Sequence, residues 1–259
     1  MDGLLKKLNE IAKEIDILGK EVYPELQGDM RDDFHFMCKS FLKRQLTQLG
    51  SLVLLEDRDD VILIARSMFE GSLYLSYSLK DKEMCRRWRL FSCVVDIKRM
   101  DKSDDPIPED VVKIIDSLRP EVDKLFKKEN GEYQWNWYGD KSIKKIANLV
   151  DSHYLYLYET YYSPMSEYHH WATAAFGKRY RLDGSEVVEM HSDEVKLERS
   201  SALCMALSSV FSTLKLGSKV LGGNSCHQEK INALAKKLEN LEGTITRKIN
   251  IKSSIHGNR

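Results

Sequence analysis

The sequence predicts an all-α protein, a multi-helix bundle on a single core, and three observations carry that expectation. Apolar residues recur at steps of three and four through most of the 259 residues. Only five prolines interrupt them, and a proline inside a helix removes a hydrogen bond and favours a kink or a stop. Clusters of Gly, Asn, Asp and Pro fall between the periodic stretches rather than inside them.

Leu4, Leu8, Ile11, Ile15 and Leu18 form one stripe and predict a helix over 4–22, ended by Pro24 and Gly28. Phe34, Met37, Phe41, Leu42, Leu46, Leu49 and Val53 predict a second over 30–55. A third spans 59–79, with Asp59 and Asp60 at its start, where carboxylates complement the positive helix end. The fourth, over 81–100, has a basic side made of Arg86, Arg87, Arg89, Lys98 and Arg99. SDDPIPED (103–110) reads as a turn leading into a helix over 109–128, with Pro120 as a kink or break. NGEYQWNWYGDKS reads as a loop, and helices follow over 142–150 and 152–162. Pro164 opens an element that carries Ser166 to Phe176. A small hairpin near 178–192 centres on Asp183-Gly184. A long helix over 193–221 stops at Gly222-Gly223, and one more covers 226–242. The last stretch, with four basic residues and no acid, predicts a flexible tail, so the chain divides into a helical domain, 1–242, and a basic tail, 243–259.

Composition narrows the function classes. Hydrophobic residues at 42% and charged residues at 31% suit a globular chain rather than a disordered one. Lys+Arg and Asp+Glu balance at 40 each, so net charge points to neither nucleic acid nor a membrane. The five cysteines are odd in number and widely spaced, which argues against a disulfide framework or a cysteine zinc site. No stretch approaches the roughly 20 apolar residues of a membrane span, and the N-terminus lacks the apolar core of a signal peptide. A soluble protein of the reducing cytoplasm is expected.

Two segments carry candidate chemistry. In the third helix, Arg66 and Glu70 are four apart and share a face that is otherwise apolar. Burying two charges is costly unless they are well paired, so a buried Arg66–Glu70 ion pair is expected, either as a register-fixing bridge or as the polar floor of a pocket. The second segment, 158–181, is dense in Tyr, His, Lys and Arg. His169 and His170 titrate near neutrality and suit general acid or base work. Ser166 lies four before His170, and Tyr162 adds a hydroxyl that could position substrate. Lys178, Arg179 and Arg181, with Tyr180 among them, suit a phosphate backbone and unstacked bases. The plainer reading is an amphipathic helix with a core histidine, followed by a solvated basic loop. Glu167-x-x-His170 has di-iron spacing, but no second copy faces it, so neither metal nor cofactor is expected. Phosphate-loop, dinucleotide-binding, zinc-protease and serine-hydrolase motifs are absent.

Three segments in order, ARSMFEGSLYLSYSL, WNWYGDKSIKKIANLV and LYETYYSPMSEYHHWA, resemble a bacterial all-helical family of unknown function. That family has an Arg-x-x-x-Glu helix, a tryptophan-led segment and a Ser-x-x-x-His ending. The resemblance covers roughly 60–176 and maps Arg66, Glu70, Ser166 and His170 onto the family's polar positions; the doubled histidine, with His169, departs from it. A looser similarity is to the HEPN helical ribonucleases of toxin and antiphage systems, which cleave RNA with an arginine and a histidine and no metal. Their two residues share one short motif, whereas Arg66 and His170 are far apart in sequence.

Two functions follow as expectations. One is metal-independent action on RNA in a bacterial defence or toxin-type system. There His170 is the acid or base, Arg66 steadies phosphate charge, Glu70 orients Arg66, and Tyr162 or Ser166 positions substrate. The other is a non-catalytic sensor or adaptor that binds a partner protein or a small anionic ligand.

Overall fold

The computed structural model describes residues 1–55, 60–102, 108–166, 180–189 and 192–256. They form an all-α bundle with one two-stranded hairpin. In chain order the helices are α1 (Asp2–Glu25), α2 (Asp33–Leu55), α3 (Asp60–Lys80), α4 (Glu83–Met100), α5 (Glu109–Phe126), α6 (Ile143–Val150) and α7 (Ser152–Leu157). A π-helical turn, Tyr158–Tyr162, continues α7. Then come β1 (Tyr180–Asp183), β2 (Glu186–Glu189), α8 (Asp193–Val220) and α9 (Ser225–His256).

The spine of the bundle is α8, which packs on α1, α2, α3 and α9. Every residue from Arg199 to Phe211 is buried, so this stretch of the helix is enclosed on all sides. Its hydroxyls are accommodated because they turn back onto their own helix: Ser209 donates to the Met205 carbonyl at 2.7 Å and Thr213 to the Ser209 carbonyl at 2.9 Å. Around this spine runs the main core, to which α3 contributes Phe69 and Leu73 and α2 contributes Met37, Leu42 and Leu49. A satellite cluster between α4 and α5 joins Leu90, Val94, Ile97, Ile115, Val122 and Phe126.

Three local readings are corrected. Of the kink or break expected at Pro120, the break does not occur: α5 runs through it to Phe126. The proline sits on the exposed side, so the carbonyl it leaves unbonded faces water. Pro24 likewise lies inside the last turn of α1 rather than beyond it. The last helix does not stop at 242; α9 continues to His256, with Ile245 buried and Thr246 Oγ1 2.6 Å from the Tyr156 hydroxyl. The hairpin stands where expected, with Asp183 opposite Glu186 and Gly184 taking the positive φ of 63° that its tight turn requires.

One buried carboxyl gives a pH prediction. Glu242 on α9 has an Oε1 that is buried without a hydrogen-bond partner. Burial first, and the nearby Glu239 second, raise its pKa above the usual carboxylate range. The folded state therefore holds this proton more tightly than the unfolded chain. Glu242 favours folding in acid, and its contribution is lost as pH rises from the usual range through the raised value. Glu242→Gln is expected to melt at or above the wild-type temperature at neutral pH and to flatten that decline. A lower melting temperature at neutral pH would show that the carboxylate is well served where it is.

Candidate functional site

Helix α3 carries the site because its period places two polar rows side by side. Arg66 and Glu70 form one row toward the 158–166 segment; Ser67, Gly71 and Tyr74 form the next, toward α2. Two glutamines on α2, three residues apart, meet the second row. Gln45 Nε2 donates to the Met68 carbonyl at 2.6 Å, and Gln48 Nε2 to Ser67 Oγ at 2.7 Å. A Cβ at position 71 would lie 3.0 Å from Gln45 Nε2, so glycine there lets the two helices approach.

The chain reaches Arg66 through a run of tyrosines. Ser142 caps α6 by accepting from Lys145 N, and Asp151 caps α7 by accepting from Tyr154 N. The Tyr154 hydroxyl then lies 2.6 Å from Ser72 Oγ and 2.7 Å from Ser76 Oγ, which pins α7 to α3. The π-helical turn closes with Ser163 N donating to the Tyr158 carbonyl at 2.9 Å. Such turns are frequent at functional sites. Here the turn sends Tyr161 toward Thr246 on α9 and Tyr162 toward α3.

Tyr162 is the hub. Its ring lies against Phe69 at 5.0 Å and is stacked with Tyr158 at 5.4 Å. The Arg66 guanidinium sits over its face, 4.0 Å from the centroid. The same guanidinium donates from Nη1 to the Tyr162 carbonyl at 3.0 Å and to Ser166 Oγ at 2.9 Å. The Tyr162 hydroxyl donates to Glu70 Oε1 at 2.6 Å. Burial first, and the Glu70 carboxylate second, push the Tyr162 phenol upward and keep it protonated.

Arg66, Glu70, Tyr162 and Ser166 therefore meet, but not through the Arg66–Glu70 ion pair that the sequence predicts. Among the described residues no direct ion pair joins Arg66 to Glu70; Tyr162 stands between them and bonds to both. Glu70 thus orients the phenol rather than the guanidinium. Arg66 is 8% exposed, while Glu70 is half-buried. His169, His170, Lys178 and Arg179 lie outside the described residues. Arg181 belongs to β1 by its backbone, and its side chain also lies outside the description.

Sequence reasoning missed the other side of Glu70. There a cleft of about 300 Å³ opens between α2 and α3, lined by Phe41, Arg44, Gln45, Gln48, Tyr74 and Trp88 among others. The available signal was Gln45 and Gln48, two amides at helical spacing on a face otherwise committed to the core. Trp88 and Tyr74 are held by aromatic neighbours: Trp88 meets Phe41 edge-on at 5.1 Å, and Tyr74 stacks on Tyr138 at 4.8 Å.

A family model described as a family of unknown function (DUF5677) matches residues 35–186, more than half of the chain. No curated protein matches. No solved structure matches either. The matched stretch contains Arg66, Glu70, Tyr162, Ser166 and His170 and both walls of the cleft, but neither α8 nor α9.

Proposed function

The chain belongs to the DUF5677 family, and we propose that it is a non-catalytic helical binding module, a sensor or adaptor that receives a small ligand. The occupancy of Arg66 carries this reading. An arginine that steadies phosphate charge in a cleavage reaction presents its N–H fork to the substrate. Arg66 is instead buried with its guanidinium laid over the Tyr162 ring, and its Nη1 donates to both the Tyr162 carbonyl and Ser166 Oγ. Through Tyr162 it fixes Glu70, which lines the α2–α3 cleft. The polar cluster is then the rigid back wall of a binding site. The five free cysteines support a reducing compartment such as the cytoplasm.

A second reading, metal-independent action on RNA in a HEPN-like manner, is favoured by one observation. Arg66 grips Ser166, and His169 and His170 follow three and four residues later in the chain. In that reading His170 moves the proton, and Lys178, Arg179 and Arg181 hold the RNA backbone. One experiment separates the two: purified protein with total RNA in EDTA, beside His170→Ala and Arg66→Lys. The binding module leaves the RNA intact in all three. Cleavage by the wild type that is lost in His170→Ala overturns the binding-module reading.

A further inference from the structure

We propose that the α2–α3 cleft binds a guanine-type purine nucleotide, with the base in the cleft and the phosphate at its mouth; this rests on the binding-module reading and names its ligand. The cleft's volume of about 300 Å³ stands at the small end of ligand sites. Three of its lining residues, Phe41, Tyr74 and Trp88, are aromatic, and each is braced by another ring or lies against one. Fixed ring faces suit a flat ring system, since stacking on a base needs only its π-face.

The polar groups select the edge of that ring. Glu70 and Gln45 both offer oxygen. A carboxylate has about four acceptor sites, and Tyr162 takes one of them at Oε1. The Gln45 amide is locked by its Nε2 bond to the Met68 carbonyl, which leaves its Oε1 buried without a partner. A buried acceptor in that state is costly, and a ligand N–H that reaches the floor of the cleft removes the cost. These acceptors favour a ligand that carries N–H donors along a planar edge. Guanine presents a ring N–H and an amino group side by side, which match the two oxygens of one carboxylate. Adenine and cytosine each present only an amino group there. Arg44 lines the same cleft, is exposed, and makes no hydrogen bond or ion pair with the described residues. Its planar fork fits a phosphate through two parallel bonds. A free guanidinium or alkylammonium ligand would suit Glu70 and the rings but would be repelled by Arg44.

Isothermal titration of the full chain tests this with GMP, guanosine, IMP, free arginine and the single-stranded pentamer UUGUU. GMP is expected to bind saturably. IMP, which lacks the amino group beside the ring N–H, is expected to bind about tenfold more weakly. Glu70→Gln keeps an acceptor for Tyr162 and is expected to erase that preference while the protein still melts cooperatively. Arg44→Ala, at an exposed position, is expected to reduce GMP affinity to that of guanosine. UUGUU binding more tightly than GMP identifies an RNA strand as the source of the base; the reverse order identifies the free nucleotide. No saturable binding of either GMP or guanosine overturns the proposal. So does binding that neither variant changes, and so does arginine binding in place of GMP. RNA cleavage in the earlier assay would sink the binding-module reading whatever these titrations give. Silence here with RNA intact would sink the nucleotide alone.

Discussion

Arg66→Ala is expected to melt well below the wild type, because one side chain holds α3 to the 158–166 segment in three ways. It bonds to the Tyr162 carbonyl and Ser166 Oγ and covers the Tyr162 ring. Hydrogen bonds from a charged group contribute about 1.5–3 kcal/mol each when buried, and they are not additive. A loss of about 3 kcal/mol corresponds to a fall of roughly 6–12 °C for a chain of this size. Arg66→Lys should recover only part of it, since an ammonium can donate to the two oxygens that Nη1 serves but cannot lie flat over the Tyr162 ring. Differential scanning calorimetry decides the matter. An unchanged melting temperature for Arg66→Ala would mean that the cluster is incidental to stability, and the back wall inferred from it would go too.

Arg87→Ala is expected to cost more. Arg87 on α4 is 8% exposed and donates to three acceptors on separate parts of the chain. These are the Trp137 carbonyl at 2.8 Å, the Leu125 carbonyl, and Gln134 Oε1 at 2.6 Å. It also covers the Phe126 ring at 4.6 Å. Removing it leaves those acceptors unpaired and frees the loop between α5 and α6, a loss of about 4 kcal/mol or roughly 8–16 °C. Trp137 and Tyr138 are the loop residues that pack on Tyr74, so the damage should spread to the cleft. Red-shifted tryptophan emission below the melting transition is the expected signature. Emission and melting both unchanged would show that the loop holds itself.

Neither arginine could have been ranked this way from sequence. Arg87 is one of five cations on a basic helix side, and nothing in the spacing separates it from its less buried neighbours. What marks it is three acceptors brought in by chain 38 to 50 residues away. Arg66 and Glu70 were legible as partners on one face, because helical period alone puts them there. Their actual link was not legible, since it depends on Tyr162, whose bond to Glu70 spans 92 residues. The helices themselves were readable because each has a stripe dictated by local geometry. The misread ends share a cause. Pro24, Pro120, and Gly243 with the β-branched residues that follow it are poor helix signals locally, but each lies where solvent exposure or tertiary packing overrides propensity. The hydroxyl-rich α8 looked like any long helix, because the placement that makes it the spine is a property of the whole bundle.

That spine has a consequence for how the molecule is divided by ancestry. The stretch shared with the family ends at residue 186, before α8 begins. Yet the inner face of α3, with Phe69 and Leu73, is in the core that α8 fills. The unit of inheritance and the unit of folding are thus not the same here. The shared region carries the polar cluster and the cleft, and a segment the family model does not cover carries the keel on which they are set. A chain cut back to residues 35–186 would lose the helix that fills the core under Phe69 and Leu73.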